Sequence, residues 1–224
     1  KQVKIFNVKN IIVTNKDKFL FLKKSLKNKK INIYNNFDSI DKILEIKKVD
    51  YTMSAISGID GLKPTLELIK FTKEIAIANK EAIICGWSLI TSELKKNKTK
   101  FIPVDSEHYS IYSLIDGINS NNIEKIYITA SGGPFNNYSL AKFKTIKVKS
   151  ALNHPNWKMG KKITIDSATM MNKVFEIIEA QKIFNINYKS LRILVHPKSY
   201  VHALVKFKNG VTKILIHETR MTIP

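Results

Sequence analysis

Apolar residues recur along this chain at two spacings. The short runs 9–14, 31–34, 51–56 and 74–78 are rich in Ile, Val and Tyr and predict strands. Between them, 17–27, 39–47 and 62–72 repeat apolar side chains at helical intervals. Strands alternating with helices at this pace predict βαβ units and a parallel sheet. The pattern changes near Pro103. Residues 101–104 read as a strand, 109–117 as a helix and 126–129 as a strand, and 137–152 as polar and partly helical. His154-Pro-Asn-Trp-Lys-Met-Gly160 reads as a loop, Ile163-Thr-Ile165 as a short strand, and Asp166-Ser167 as the cap of a helix from Thr169 to Ala180. Strands follow at 191–196, 199–206 and 211–217. Asn209-Gly210 is a hairpin turn, so this half ends in antiparallel pairing.

That last helix carries polar groups in an apolar setting. Asn172 and Glu176 stand four apart on one face with Lys173 beside them, among Met170, Met171, Val174, Phe175, Ile177 and Ile178. A helix so apolar is mostly buried, and its amide, ammonium and carboxylate need partners. Two readings stand: an internal Lys173–Glu176 pair, or a site in which Glu176 serves a metal and Asn172 and Lys173 an anion, beneath a lid bearing Trp157.

Composition narrows the class. The 224 residues, 44% hydrophobic and 25% charged, suit an ordinary soluble globular protein able to bury a core. No apolar run is long enough to cross a membrane, and the single Cys85 excludes an intramolecular disulfide framework. The net charge of +20 suggests a polyanion partner, but it is almost all lysine, scattered along the chain; Arg192 and Arg220 are the only arginines. The arginine forks and interleaved aromatics of nucleic-acid readers are missing, so no nucleic-acid partner is expected; some of the charge can steer an anionic substrate. A basic, non-catalytic polyanion-binding module is the competing hypothesis, and it predicts scattered carboxylates behind a continuous lysine face.

Other stretches offer chemistry. In an extended segment after Pro103, Asp105 and Glu107 point the same way, and two carboxylates on one side repel unless a cation or protons sit between them. Oxygen-only ligands suit Mg²⁺ or Mn²⁺. The plainer alternative is a helix N-cap at Asp105 or Ser106. Ala130-Ser-Gly-Gly-Pro134 after a strand makes either an anion-cradling turn or a tight turn alone. Ala55-Ile-Ser-Gly-Ile-Asp-Gly-Leu62 is a glycine-bearing strand-to-helix turn, where open parallel sheets bind ligands, though it is no GxGxxG fingerprint. Asn79, Lys80 and Glu81 form a solvated loop or contact a ribose, a nicotinamide or a substrate. Trp157 and Met159, between Pro155 and Gly160, either pin a loop to the core or form a lid. No two of the five histidines make an H-x-x-x-H pair, so no zinc site is expected; His154 stands out, with His202 second.

Taken together, ANKEA (78–82), PVDSEH (103–108), SGGPF (131–135), HPNWKMG (154–160), DSATMMNK (166–173) with Glu176, and HPKSYVH (196–202) closely resemble the 1-deoxy-D-xylulose 5-phosphate reductoisomerase family. The segments run through nearly the whole chain. The resemblance implies a partial Rossmann-like parallel-sheet domain over 1–102 and an α+β catalytic domain with a mixed sheet over 103–224. It implies NADPH and a divalent cation (Mn²⁺, Mg²⁺ or Co²⁺) as cofactors, and a sugar phosphate substrate rearranged by retro-aldol/aldol chemistry and then reduced.

By the same resemblance, Asp105, Glu107 and Glu176 are metal ligands, and Ser106 and Lys80 meet the substrate's oxygenated carbons. Ser131, Ser167, Asn172 and Lys173 form the phosphate pocket with His154 beside it, and Trp157 and Met159 belong to the lid. Lys80, Glu107, His154, Trp157 and His202 are the catalytic candidates. Ala55, Ile56, Gly58, Asn79, Lys80, Glu81, Gly160 and Met221 are the cofactor contacts. A homodimer is expected, in the bacterial cytoplasm or a plastid-type organelle. The family's opening GxTGxxG-type turn and its C-terminal helical domain are not in the sequence, so the chain is expected to be a fragment.

Overall fold

The computed structural model describes residues 2–27, 30–45, 48–153 and 160–218. The first half runs α1 (Gln2–Ile5), β1 (Asn10–Ile12), α2 (Lys16–Ser25), β2 (Asn32–Tyr34), α3 (Ile40–Leu44), β3 (Val49–Ser54), α4 (Leu62–Ile69), β4 (Thr72–Ile77), α5 (Lys80–Asn97) and β5 (Lys100–Pro103). β1 and β2 pair in parallel as one small sheet, and β3, β4 and β5 pair in parallel as a second. Ile75, Ala76 and Ile77 of β4 are buried, as a central strand covered on both faces requires. Ile69 of α4 and Ile83, Ile90 and Leu94 of α5 complete this core.

The sequence reading did not anticipate α5. Its start is set by Asn79, whose side chain accepts the Ala82 N–H at 2.9 Å, a helix N-cap in place of a solvated loop. Gly86 breaks the helical dihedrals inside α5, and the Leu62 side chain occupies the space a Cβ there would need.

The second half runs α6 (Ser106–Ile115), β6 (Ile123–Ala130), α7 (Leu140–Phe143), α8 (Val148–Ala151), α9 (Lys161–Ala168), α10 (Met171–Phe184), β7 (Leu191–Val195), β8 (Val201–Phe207) and β9 (Thr212–Ile216). Its sheet is mixed, in the order β7-β6-β8-β9: β6 and β7 are parallel, and the β6–β8 and β8–β9 pairs are antiparallel. Ile126, Ile128, Ala203 and Val205 pack with Ile111 of α6 and Ala180 of α10. Because α10 also packs against α5, it ties the mixed sheet to the parallel one. The expected α/β architecture, a parallel-sheet part followed by an α+β part with a mixed sheet, is present.

Two local expectations are overturned. Residues 163–165 are not a strand but the middle of α9. Ile165 and Ala168 pack with Phe135, Ala151 and Ile146, and the Thr164 hydroxyl donates to the Gly160 carbonyl at 2.8 Å. Burial at helical spacing overrides the β-propensity of Ile and Thr. Asp166 and Ser167 therefore lie inside a helix instead of capping one. The chain turns at Met170, which has φ +61°, before α10 begins at Met171. Asp105 and Glu107 do not share an extended segment either; the N-cap alternative holds: Asp105 caps α6, accepting the Glu107 N–H at 3.2 Å, and Glu107 lies in its first turn.

Candidate active site

The site forms where three helices meet. α5 brings Lys80 at its N-terminus, α6 brings Asp105, Ser106 and Glu107 at its own, and α10 brings Asn172, Lys173 and Glu176. One oxygen from each of Asp105, Glu107 and Glu176 lies within 4.8 Å of the others. Lys173 donates to Glu107 and, at 2.6 Å, to Glu176 Oε2; Asn172 donates to Glu176 Oε1. Lys80 Nζ donates to Asn172 Oδ1 at 2.6 Å and lies 3.6 Å from Asp105 Oδ2. The internal Lys173–Glu176 pair exists, and the same Glu176 carboxylate converges with Asp105 and Glu107.

Burial sets the electrostatics. It pushes the Glu176 carboxyl up to about 8, helped by Glu107 and opposed by Lys173. It would also raise Asp105, but His108, Lys80 and Lys173 hold that carboxyl well below its usual range. Burial would lower both lysines, yet Asp105 and Glu176 keep Lys80 above its ordinary value, and Glu107 and Glu176 do the same for Lys173. The lysines are therefore firm cations facing a carboxylate cluster. A cluster of hard oxygen donors that already accommodates an ammonium fits a divalent cation. It also contradicts the binding-module hypothesis, which predicts scattered carboxylates.

The 131–135 turn packs against the end of α9. In the 131–135 turn, Gly132 and Gly133 have φ +86° and +67°, and Gly133 N–H points to the Ser131 hydroxyl at 3.3 Å. Gly133 lies against Ser167, so close that a Cβ would stand 2.8 Å from the Ser167 carbonyl. This brings Ser131 and Ser167 into one region, at the head of α10 and its Asn172 and Lys173. A cavity of about 1140 Å³ opens beside Ser131, between the turn and Lys147, Ser150 and Asn153.

On the parallel-sheet side, Asn79 is buried and its amide donates to the carbonyls of Ile56 and, at 2.8 Å, Gly58. This ties together the 55–62 turn and the 79–81 stretch, the two places in this half read as able to carry function. Ala55 and Ile56 are exposed there, and Gly58 has φ +76°. Lys162 of α9 bridges Glu81 at 3.0 Å and Asp166 at 2.7 Å. That contact holds Glu81 below its ordinary value against the opposing effect of burial. Gly160 is exposed at the head of α9. His202 is buried on β8, its ring stacked on His217 at 3.5 Å between centroids. Burial and His217 lower its pKa. His154, Trp157, Met159 and Met221 lie outside the described residues.

The family model of the 1-deoxy-D-xylulose 5-phosphate reductoisomerase matches residues 1–86, and the model of that enzyme's C-terminal domain matches residues 101–184. The chain belongs to the 1-deoxy-D-xylulose 5-phosphate reductoisomerase family. The reductoisomerase of Pelagibacter ubique is 70% identical over 225 residues, covering 100% of this chain and 58% of the relative; that of Clostridium kluyveri is 41% identical over 98% of this chain and 57% of the relative. The chain thus spans less than two thirds of the curated relatives it matches. A DOX-P reductoisomerase solved in complex with NADPH, fosmidomycin and magnesium superposes with a TM-score of 0.88 at 32% identity, over 98% of this chain and 56% of that one. The Zymomonas mobilis reductoisomerase in complex with NADPH superposes at 0.85 with 36% identity, over 96% and 55%.

Two residues of the cluster escaped the sequence reading. His108 and Glu179 are both buried, and together with Asp105 they form a second group of convergent metal-type ligands. The signal for them was present. His108 stands three residues after Asp105 and Glu179 three after Glu176, each one helical turn beyond a carboxylate already singled out.

Proposed function

We propose that this protein converts 1-deoxy-D-xylulose 5-phosphate into 2-C-methyl-D-erythritol 4-phosphate, using NADPH and a divalent cation. The observation that carries the reading is the convergence of Asp105, Glu107 and Glu176 from two helices, rimmed by Lys80, Asn172 and Lys173. Family membership supplies the substrate, and the solved relatives with NADPH, fosmidomycin and magnesium supply the cofactors.

In this reading the three carboxylates hold the cation, which when bound polarises the substrate's ketone and neighbouring hydroxyl. Ser131, Ser167, Asn172 and Lys173 grip the phosphate, and that remote grip orients the reacting carbons. Lys80, held between Asn172 and Asp105, is an ammonium placed to donate to a substrate oxygen as the carbon skeleton rearranges. The 55–58 turn, Asn79, Lys80, Glu81, Gly160 and Met221 are assigned to hold NADPH, which would supply the hydride that reduces the resulting aldehyde. His154 and His202 border the substrate, and Trp157 and Met159 serve as its lid. Residues 1–102 form the cofactor domain and 103–224 the catalytic domain. A homodimer is assigned by the resemblance alone, and the bacterial relatives support a bacterial cytoplasmic setting. Among the described residues no helix is long and apolar enough to cross a membrane.

The test is calorimetric titration of Mn²⁺ with and without fosmidomycin, in wild type and Glu176→Gln, beside an assay of NADPH consumption on 1-deoxy-D-xylulose 5-phosphate. Inhibitor-dependent metal binding and turnover, both lost in the variant, are expected. Metal binding that survives Glu176→Gln unchanged would show that Glu176 is not a ligand.

A further inference from the structure

We infer that Glu179 is a positioning residue for the carboxylate centre and acts through His108. The inference rests on the metal reading above and adds residues to it.

Glu179 is 2% exposed and His108 fully buried. Among the described residues no lysine or arginine pairs with Glu179; the cation-capable group nearest its carboxylate is the His108 ring, with Nδ1 4.0 Å from Oε2. Burying a carboxylate without a strong partner is costly, and helix packing alone is served better by an apolar side chain. What Glu179 faces explains its presence. His108 Nε2 lies 2.9 Å from the backbone carbonyl of Glu176. A carbonyl only accepts, so Nε2 carries the hydrogen and donates. The ring's other nitrogen then points between two carboxylates: Asp105 Oδ1 at 3.2 Å and Glu179 Oε2 at 4.0 Å. Neither Nδ1 nor Glu179 Oε2 completes an aligned hydrogen bond. Phe184 lies over the same ring, with centroids 6.4 Å apart.

One imidazole therefore joins the first turn of α6, at Asp105, to the backbone of α10 at Glu176. Two of the three proposed ligands depend on its orientation. Glu179 lies one turn beyond Glu176 on α10 and meets the ring at the same nitrogen, Nδ1, as Asp105. Groups behind metal ligands that set their orientation typically change metal affinity or activity by about 10- to 100-fold when removed.

The experiment is a Mn²⁺ titration followed by electron paramagnetic resonance, on the wild type, Glu179→Gln, His108→Asn and the double variant, with melting curves in metal-free buffer. Each single variant is expected to weaken Mn²⁺ binding by about 10- to 100-fold and to alter the Mn²⁺ line shape. Each should lower kcat while leaving the KM for NADPH unchanged. The double variant is expected to bind no more weakly than His108→Asn, because the path runs through His108. Additive losses would mean that Glu179 acts as a through-space charge and would overturn the inference. So would wild-type affinity and line shape in Glu179→Gln. If Glu179→Gln fails to fold, Glu179→Asp keeps the charge and shortens the reach; weakened Mn²⁺ binding there supports the inference and unchanged binding overturns it. If the wild type itself binds no Mn²⁺ while Glu176→Gln behaves identically, the metal reading fails first and this one with it.

Discussion

Replacing Glu176 by glutamine separates two accounts of the buried cluster. Glu176 is 1% exposed, and burial together with Glu107 raises its carboxyl from 4.5 to about 8. The native protein then holds a proton that the unfolded chain has lost. Stability therefore falls as pH rises from about 4.5 and levels off above about 8. A gap of that size corresponds to a penalty on the order of 5 kcal/mol at the alkaline end. Glutamine removes the penalty but weakens the contact with Lys173, returning about 1–3 kcal/mol of it. Without divalent cations, Glu176→Gln is expected to be about 2 kcal/mol more stable than wild type near pH 8.5, with the gap closing towards pH 5. Saturating Mn²⁺ stabilises only the wild type, by about 2.7 kcal/mol at a hundredfold excess over Kd, and narrows or reverses the order. Urea denaturation across this pH range, with chelator and then with Mn²⁺, measures both. A wild type more stable than the variant near pH 8.5 in chelator, by a margin independent of pH, would refute the reasoning: Glu176 would be an ionised, stabilising partner of Lys173.

The same proton inventory makes Mn²⁺ binding pH-dependent. Burial raises Glu176 to about 8 and Glu179 to about 7, so affinity is expected to climb through neutral pH with release of protons, read by calorimetry in buffers of different ionisation enthalpy. Gly61→Ala would drive a Cβ into the Asn79 amide and the Ile56 carbonyl. We expect it to cost about 2 kcal/mol or more in denaturant melts and to weaken NADPH binding in a fluorescence titration. Gly133→Ala combines φ +67° with a Cβ 2.8 Å from the Ser167 carbonyl. A stability loss of about 1–2 kcal/mol is expected, with the KM for the sugar phosphate rising more than that for NADPH.

How far the sequence foretold this molecule depended on whether local signals agreed with packing. The parallel strands were legible because Ile75, Ala76 and Ile77 form a β-rich run buried on both faces, which needs little context. The Asn209-Gly210 hairpin was legible from its turn chemistry alone, and Gly210 has φ +86°. α9 was not: Ile163, Thr164 and Ile165 prefer strands, and only the cluster around Phe135 and Ala151, remote in sequence, makes them helical. α5 was hidden because Asn79-Lys80-Glu81 reads as a polar loop until the Asn79 side chain is seen capping the Ala82 amide. The centre's carboxylates were found; for Asp105 and Glu107 the helix-cap alternative holds and the extended segment does not. His108 and Glu179 stand one helical turn beyond Asp105 and Glu176, but that they face each other emerges only when α6 and α10 are seen to touch.

The charge inventory gives the arrangement a logic that no single residue shows. Four buried or half-buried carboxylates, Asp105, Glu107, Glu176 and Glu179, face three cationic groups, Lys80, Lys173 and His108, the last raised to about 9 by Asp105 and Glu179 against its burial. Fully ionised, the cluster carries one excess negative charge, and the raised carboxyls of Glu176 and Glu179 are where it takes up a proton instead. A divalent cation reverses the sign of that excess, and a phosphate dianion beside Lys173 reverses it again. Each partner therefore enters a site whose charge favours the other, which is positive coupling between metal and phosphate without any change of fold. On the proposed reading Lys173 is the hinge of that coupling: the ammonium that balances Glu107 and Glu176 is the one assigned to the phosphate, so a cation taking its place among the carboxylates would free it to turn to the anion.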